Sequence, residues 1–267
     1  MIKDIFFRDY TVRYRKEGTG PALVLLHGFC ESLGIWNDFT RALSKKYLLI
    51  VPDLPGHGGS GGPEISTMEF MAEAVHAVLR EESVKSAVLT GHSMGGYVSL
   101  AFAELFPEEI KGLCLFHSTA VADTQEKKLG RTLAMKAAGK DPGSFMSALI
   151  PKLFAPPEFS SDPALREKYI ALSLAAAGKM PAKAIIAALA GMRDRKDRQQ
   201  VLKNASFPVL FIIGKNDALI PVESILPQTL LPRHAEALLL EKAGHMGFFE
   251  AKEETLSVLE GFTGRCF

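Results

Sequence analysis

A serine flanked by glycines lies at the centre of the segment Gly91-His92-Ser93-Met94-Gly95-Gly96. Residues 86–90 before it form an apolar run rich in strand formers, and residues 97–106 after it have helical periodicity. The pattern predicts a sharp turn from a strand into a helix, with Ser93 in a strained conformation at its tip. The glycines relieve the crowding of such a turn, so the serine hydroxyl is left exposed.

Length and charge restrict the kind of protein this can be. The 267 residues are enough for one large α/β domain with a sizeable core. Basic and acidic residues are balanced, 31 against 30, which gives no indication of a nucleic-acid partner. No apolar run approaches the ~20 residues of a membrane helix, and we expect no membrane association. Protein partners stay open.

The N-terminus and the cysteines bear on location and metal binding. Residues 1–9 carry acids and have no long apolar core, unlike a signal peptide. Cys30, Cys114 and Cys266 are far apart and odd in number, so they match no metal-binding or disulfide pattern. We expect a reduced, cytoplasmic protein that uses neither a metal nor a cofactor.

Strand-like and helix-like segments alternate along most of the chain. Helices are predicted at residues 35–43, 67–82 and 252–262, and strands at residues 4–7, 11–16, 22–26, 47–51, 86–90, 112–117, 208–214 and 237–240. This alternation predicts an α/β fold with a mostly parallel sheet and helices on both faces. Functional residues in such sheets lie beyond the carboxyl ends of the strands.

The alternation is interrupted between residues 120 and 205, where the sequence is helical, alanine-rich and punctuated by prolines. We interpret this segment as a helical cap inserted into a core of residues 1–119 and 206–267. Its large side chains are mostly apolar, which predicts a pocket for an apolar, uncharged acyl group of short to medium length. The charged stretch at 193–198 is interpreted as a solvated face rather than an anion site.

Two residues after later strands complete a possible triad with Ser93. A serine hydroxyl needs a base to take its proton, and the base needs a group that orients it. Asp217 follows the strand at 208–214 and His245 follows the strand at 237–240, in the chain order Ser, Asp, His. Asp123 is an alternative third member, although Asp217 has the better loop context.

Backbone amides are expected to stabilise the oxyanion of the reaction. One is the N–H of Met94, directly after the nucleophile, and the other is the N–H of Phe29, after the strand at 22–26. Nearby polar residues are interpreted as structural: His27, Asp53 and His57 hold loops, and His92 lines the strand end. The remaining histidines show no partner pattern, namely His76, His117 and His234.

The motifs together resemble those of α/β-hydrolase fold proteins. They are His27-Gly28-Phe29, Asp53-Leu54-Pro55-Gly56-His57-Gly58, the Ser93 segment, Gly214-Lys215-Asn216-Asp217 and Ala243-Gly244-His245. The resemblance implies an eight-stranded sheet, a Ser93–Asp217–His245 triad and a helical lid. Within the superfamily the chain is most similar to small carboxylesterases, enol-lactone hydrolases and cofactor-free perhydrolases. The segment from His27 to Glu31 is also close to the H-G-x-P-E motif of epoxide hydrolases. Those enzymes, however, use an aspartate nucleophile where this chain has Ser93.

The sequence therefore predicts a serine hydrolase that cleaves small carboxylic esters through an acyl-enzyme on Ser93. A hydrolase of carbon–carbon bonds, lactones or thioesters with the same triad is one alternative. A signalling protein that binds a small ligand on the same fold is another, because fold alone does not settle function.

Overall fold

The computed structural model describes residues 1–160 and 162–267, and its strands in this range form one eight-stranded sheet. They are β1 (Ile2–Phe7), β2 (Tyr10–Glu17), β3 (Ala22–Leu26), β4 (Leu48–Pro52), β5 (Ala87–His92), β6 (Ile110–Phe116), β7 (Val209–Gly214) and β8 (Ala235–Leu240). Their spatial order is β1-β2-β4-β3-β5-β6-β7-β8. β2 is antiparallel to β1 and β4, and all other pairings are parallel. The predicted mostly parallel sheet is confirmed.

Helices connect the strands. They are α1 (Asn37–Leu43), α2 (Met68–Glu81), α3 (Met94–Leu105), α4 (Gln125–Lys140), α5 (Pro142–Leu149), α6 (Pro163–Ala177), α7 (Ala182–Arg193), α8 (Gln199–Lys203), α9 (Val222–Ile225), α10 (Gly247–Glu250) and α11 (Lys252–Arg265). Short 3-10 turns span Leu33–Trp36, Pro107–Glu109, Ile150–Leu153, Pro157–Phe159 and Leu226–Leu230. The helix predicted at 35–43 is thus a 3-10 turn followed by α1. The side chain of Ser32 caps that turn by accepting from the Gly34 amide.

The central strands are more deeply buried than the edge strand β8, so their sequences show a clearer apolar pattern. β3, β5 and β7 are buried along their whole length, as continuous apolar strands inside a parallel sheet should be. β8 lies at the sheet edge and alternates between exposed and half-buried residues. It begins two residues before the predicted 237–240, and its Glu236 pairs with Arg265 of α11. Because Glu236 interrupts the apolar run, the sequence pattern does not reveal where this edge strand begins.

The segment between β6 and β7 is helical, and its described residues contain no strand. Within it α4 packs against α7. One backbone hydrogen bond ties the segment to the loop after β8: the His245 amide donates to the Leu153 carbonyl at 2.7 Å. Another joins the two ends of the segment, where the Arg198 amide donates to the Ala120 carbonyl at 2.8 Å. Because β3, β5, β6, β7 and β8 are parallel, their carboxyl ends share one edge, where the loop of His245 meets this segment.

Length and apolar composition decide whether a helix could cross a bilayer. No single helix in residues 1–160 and 162–267 is both long and apolar enough to cross a bilayer. The consecutive helices α6 and α7 satisfy length and composition together, with a bend of 103° between them. α7 is largely buried against the rest of the protein, with Ile185, Ala188 and Met192 almost inaccessible.

Candidate active site

Ser93 lies at the turn between β5 and α3, in the conformation that the glycine spacing predicts. Its φ and ψ are 49° and −113°, in the left-handed region that a residue with a side chain rarely adopts. A Cβ at Gly91 would lie 2.3 Å from the Gly95 carbonyl, and one at Gly95 would lie 2.5 Å from the Leu26 oxygen. Only glycine fits at either position, so this backbone forces Ser93 outward. Its side chain lines a cavity of about 360 Å³.

Asp217 and His245 form a buried pair at the same edge of the sheet. His245 Nδ1 lies 2.6 Å from one carboxylate oxygen of Asp217. The other oxygen accepts the backbone amides of Leu219 and Ile220, each at 2.9 Å. These bonds orient the carboxylate, which in turn fixes the His245 tautomer with its proton on Nδ1. Nε2 is thereby left as the acceptor, the state that a general base requires.

The contact between Asp217 and His245 shifts the pKa values of both residues. Burial raises the pKa of Asp217, but the charge of His245 and its hydrogen bond outweigh burial and hold that pKa below its usual range. Burial lowers the pKa of His245, and here the Asp217 charge outweighs burial and leaves that pKa above its ordinary value. The two shifts share one cause: the charged forms stabilise each other inside the protein.

Ser93 and His245 line the same cavity. No hydrogen bond joins the Ser93 hydroxyl to another residue in the described part of the chain. Hydrogen bonds of this kind are commonly long before a substrate binds. The structure thus brings the three predicted residues to one edge, with the Asp217–His245 contact formed.

Of the two predicted oxyanion donors, Met94 directly follows Ser93 and Phe29 lines the same cavity as Ser93. Met94 is the first residue of α3, where an amide has no acceptor within the helix, and Phe29 follows β3 and lines the cavity. Neither amide donates to another group in residues 1–160 or 162–267. Two free N–H groups beside a nucleophile provide what a developing oxyanion needs.

Asp123, the alternative third member, has other partners. Its carboxylate forms a short ion pair with Arg131 and another with Arg195 at 2.7 Å. Burial raises its pKa, but the Arg131 hydrogen bond and charge outweigh burial, so the carboxyl stays ionised. Since the Nδ1 of His245 is bonded to Asp217, the geometry favours Asp217 as the orienting group.

The polar residues interpreted as structural do hold loops. His27 Nε2 accepts from the Leu54 amide at 2.9 Å, and burial lowers the pKa of this histidine to about 4. Asp53 accepts from the amides of Leu33 and Gly59, both at 2.7 Å. Burial likewise lowers the pKa of His57, to about 3. Both histidines are therefore neutral near physiological pH, and their contacts are with backbone.

Two further histidines contact the site: His92, which the sequence placed at the strand end without partners, and His117, for which the sequence showed no partner pattern. His92 is buried between the carboxylate of Glu31 at 3.0 Å and the backbone oxygen of His245 at 2.8 Å. His117, at the end of β6, lies 3.8 Å from the Asp217 carboxylate, and burial holds its pKa well below the usual value. Their positions after strand ends were the only available signal, since their partners are remote in the chain.

The stretch at 193–198 is only in part the solvated face that we expected, because Asp194, Lys196 and Asp197 are exposed but two arginines are not. Arg195 and Arg198 are only 6% and 2% exposed. Arg198 pairs with Glu69 of α2 at 2.6 Å, while the Arg195 guanidinium stacks 4.1 Å from the ring centroid of Tyr97. For these two arginines the expectation was wrong, because the groups that bury them lie elsewhere in the chain, outside any local pattern.

The cavity also differs from the apolar pocket expected. One part is apolar, lined from the helical segment by Phe145, Leu149, Leu153, Leu189 and Met192. Another part is charged, with Lys127 and Arg131 of α4 and Asp123 beside them. The charged part of the lining was not anticipated from the mostly apolar side chains of residues 120–205. Within the described residues, no group of three or more His, Cys, Asp or Glu is placed to hold a metal ion.

The chain is similar in sequence to a known family and to several characterised proteins. A family profile described as alpha/beta hydrolase fold matches residues 21–252. The dihydrolipoyllysine-residue acetyltransferase component of the acetoin cleaving system of Pseudomonas putida is 31% identical over 236 residues, 88% of this chain. This chain spans 61% of that relative's length. The pimeloyl-[acyl-carrier protein] methyl ester esterase of Nitrosomonas europaea is 29% identical over 259 residues, 94% of this chain and 98% of the relative.

Solved structures agree on the architecture. A thermophilic esterase from Thermogutta terrifontis superimposes with a TM-score of 0.90 at 27% identity. The match covers 100% of this chain and 99% of that one. A match over both whole chains means that the sheet and the helical segment are shared.

Proposed function

We propose that this chain, which belongs to the alpha/beta hydrolase fold family, hydrolyses small carboxylic esters through an acyl-enzyme on Ser93. Its family and its esterase relatives make it a hydrolase acting on ester bonds. The observation that supports the serine mechanism is the buried His245–Asp217 contact of 2.6 Å, with His245 lining the same cavity as Ser93 at its strained elbow.

In the proposed mechanism the Ser93 hydroxyl attacks the ester carbonyl while His245 Nε2 takes its proton. The negative charge that develops on the carbonyl oxygen is bound by the amides of Phe29 and Met94. His245, as imidazolium, then protonates the leaving alcohol, and Asp217 stabilises that charge. A water deprotonated by His245 attacks the acyl carbonyl, the bond to Ser93 breaks and the carboxylic acid leaves, while His245 returns the proton to the Ser93 oxygen. We assign residues 120–205 to a cap that closes this site and residues 1–119 and 206–267 to the core.

The test is the Ser93→Ala variant. It removes one oxygen and the nucleophile, so we expect a loss of ester hydrolysis of at least ~10³-fold with the fold unchanged. A phosphonate reagent should label Ser93 in the wild type. The matched control is Ser257→Ala, an exposed serine of α11, which should keep both activity and labelling. Labelling that persists in Ser93→Ala would contradict the assignment.

The same assay separates the alternatives. Wild-type enzyme is offered simple esters, lactones, thioesters and vinylogous diketones in parallel. Rapid turnover of esters alone supports the proposal, whereas preference for another bond class identifies a different hydrolase with the same residues. A single slow turnover on every substrate indicates a ligand-binding protein instead.

A further inference from the structure

We propose that the cavity selects esters that carry a separate anionic group, such as a carboxylate, which Arg131 and Lys127 bind with the Tyr97 hydroxyl. The inference rests on the proposed ester hydrolysis and specifies its substrate class. It replaces the uncharged acyl group that the sequence predicted.

The charges that face the cavity favour an anion. Asp123 is shared by two arginines, Arg131 and Arg195, so one positive charge remains uncompensated in this cluster. Lys127, one turn before Arg131 on α4, makes no ion pair with any residue in the described ranges, and adds a second positive charge. The other carboxylate at the cavity, Glu31, is bonded to His92 and the Gly28 amide. The α4 side of the cavity therefore has a surplus of positive charge.

The Arg131 guanidinium is held with donors to spare. Its Nε donates to Asp123, and one terminal nitrogen contacts the Met192 sulfur at 3.5 Å. The other terminal nitrogen has no acceptor among the described residues. Because Asp123 fixes the planar group, a carboxylate entering the cavity meets donors that are already oriented.

Tyr97 places a neutral donor beside the same region. It lies on α3 four residues after Ser93, one helical turn away, and it lines the cavity. Its ring is fixed by the Arg195 guanidinium, 4.1 Å from the centroid. Its hydroxyl donates to no protein group within residues 1–160 and 162–267, although the rest of the ring is buried. A phenol in this position can donate to a bound anion.

The apolar part of the cavity supports an amphipathic substrate. Phe145, Leu149 and Leu153 provide contacts for methylenes, whereas Lys127 and Arg131 provide contacts for charge. A purely apolar chain would leave the arginine donors desolvated without a partner, which is unfavourable. An anion at the right distance from the ester satisfies both regions.

The experiment compares matched esters that differ only in charge. Monomethyl esters of straight dicarboxylic acids, succinate to suberate, are each paired with the methyl ester of the monocarboxylic acid of equal length. At one chain length we expect wild-type kcat/KM to favour the anionic ester by at least ~10-fold, the usual effect of hydrogen bonds to charge. A second series places the carboxylate in the alcohol part, as acetate esters of hydroxy acids against acetates of alkanols. The series with the preference identifies which part of the substrate carries the anion.

Substitutions on α4 test which residues cause the preference for anionic over neutral esters. Arg131→Gln should lower kcat/KM for the anionic ester at least ~10-fold more than for the neutral ester of equal length, because only the anion loses charged donors. Lys127→Gln should reduce the preference, and Arg131→Lys should retain part of it. The control is Lys136→Gln, an exposed lysine of α4 that does not line the cavity and should change nothing.

A binding measurement separates this inference from the proposed function. Free adipate should raise the melting temperature of the wild type and not that of Arg131→Gln, whether or not any ester is hydrolysed. Hydrolysis of neutral and anionic esters at equal kcat/KM in both series would overturn the inference and leave the esterase intact. Absence of all ester hydrolysis would overturn the proposed esterase function. In that case the melting temperature with adipate would still test anion binding, and no increase in the wild type would overturn the inference.

Discussion

His92 donates from Nε2 to the backbone carbonyl oxygen of His245 across 2.8 Å. Its Nδ1 lies 3.0 Å from Glu31, whose pKa is held below its usual range because the His92 charge and hydrogen bond outweigh burial. A carbonyl oxygen and a carboxylate oxygen both accept hydrogen bonds, so each ring nitrogen of His92 faces an acceptor. The same Glu31 oxygen accepts the Gly28 amide at 2.5 Å. The contacts of Glu31 and His92 thus connect the Phe29 loop to the His245 loop.

Removing the charge of Glu31 tests this connection. We expect Glu31→Gln to lower kcat on a neutral ester by ~10- to 100-fold, because small displacements of catalytic groups have effects of that size. It should also move the midpoint of the pH profile to lower pH, since Glu31 contributes to raising the pKa of His245. The control is Glu109→Gln, whose carboxylate contacts His76 at 3.1 Å outside the cavity. Wild-type kcat and midpoint in Glu31→Gln would contradict the role.

The pH dependence should follow the ionisation of His245. Its imidazole must be neutral to accept the Ser93 proton, so kcat/KM should fall as pH decreases through its pKa and level off above it. Asp217 raises that pKa despite burial, which places the midpoint above ~6.5. The measurement is kcat/KM on a neutral ester between about pH 5 and about pH 10. A flat profile, or a midpoint clearly below the ordinary histidine value, would exclude His245 as the base.

Asparagine substitutions identify the third member of the triad. Asp217→Asn should reduce kcat by ~10³- to 10⁴-fold, because the amide neither selects the Nδ1–H tautomer nor stabilises the imidazolium. The comparison is Asp123→Asn on a neutral ester, whose carboxylate pairs with Arg131 and Arg195 instead. A larger loss in Asp123→Asn than in Asp217→Asn would transfer the orienting role to Asp123.

The apolar part of the cavity should set a limit on chain length. Along straight-chain p-nitrophenyl esters from acetate to laurate, kcat/KM should rise, since each buried methylene contributes ~0.8 kcal/mol. It should fall once the chain outgrows the cavity. Phe145→Ala enlarges the lining and should move the optimum to longer chains, whereas Leu129→Ala, 61% exposed on α4, should not. The same optimum in both variants would show that Phe145 does not contact the acyl chain.

The sequence by itself determined the features that depend on neighbouring residues. Glycines two positions on either side of Ser93 are enough to predict the elbow, because the crowding they relieve arises within one turn of chain. Continuous apolar runs predict β3, β5 and β7, since a strand buried on both faces needs no polar positions. Because parallel strands end at one sheet edge, the places of Asp217 and His245 after their strands also followed.

Only the tertiary structure decided which distant polar groups meet. Glu31 and His92 are 61 residues apart, and His92 and His245 are 153 apart, so no local periodicity connects them. Arg195 and Arg198 belong to a stretch whose alternating charges are typical of solvated surface, yet Asp123 and Glu69 on other elements bury them. A charge can be buried only where an opposite charge is brought to it, and folding determines where that happens.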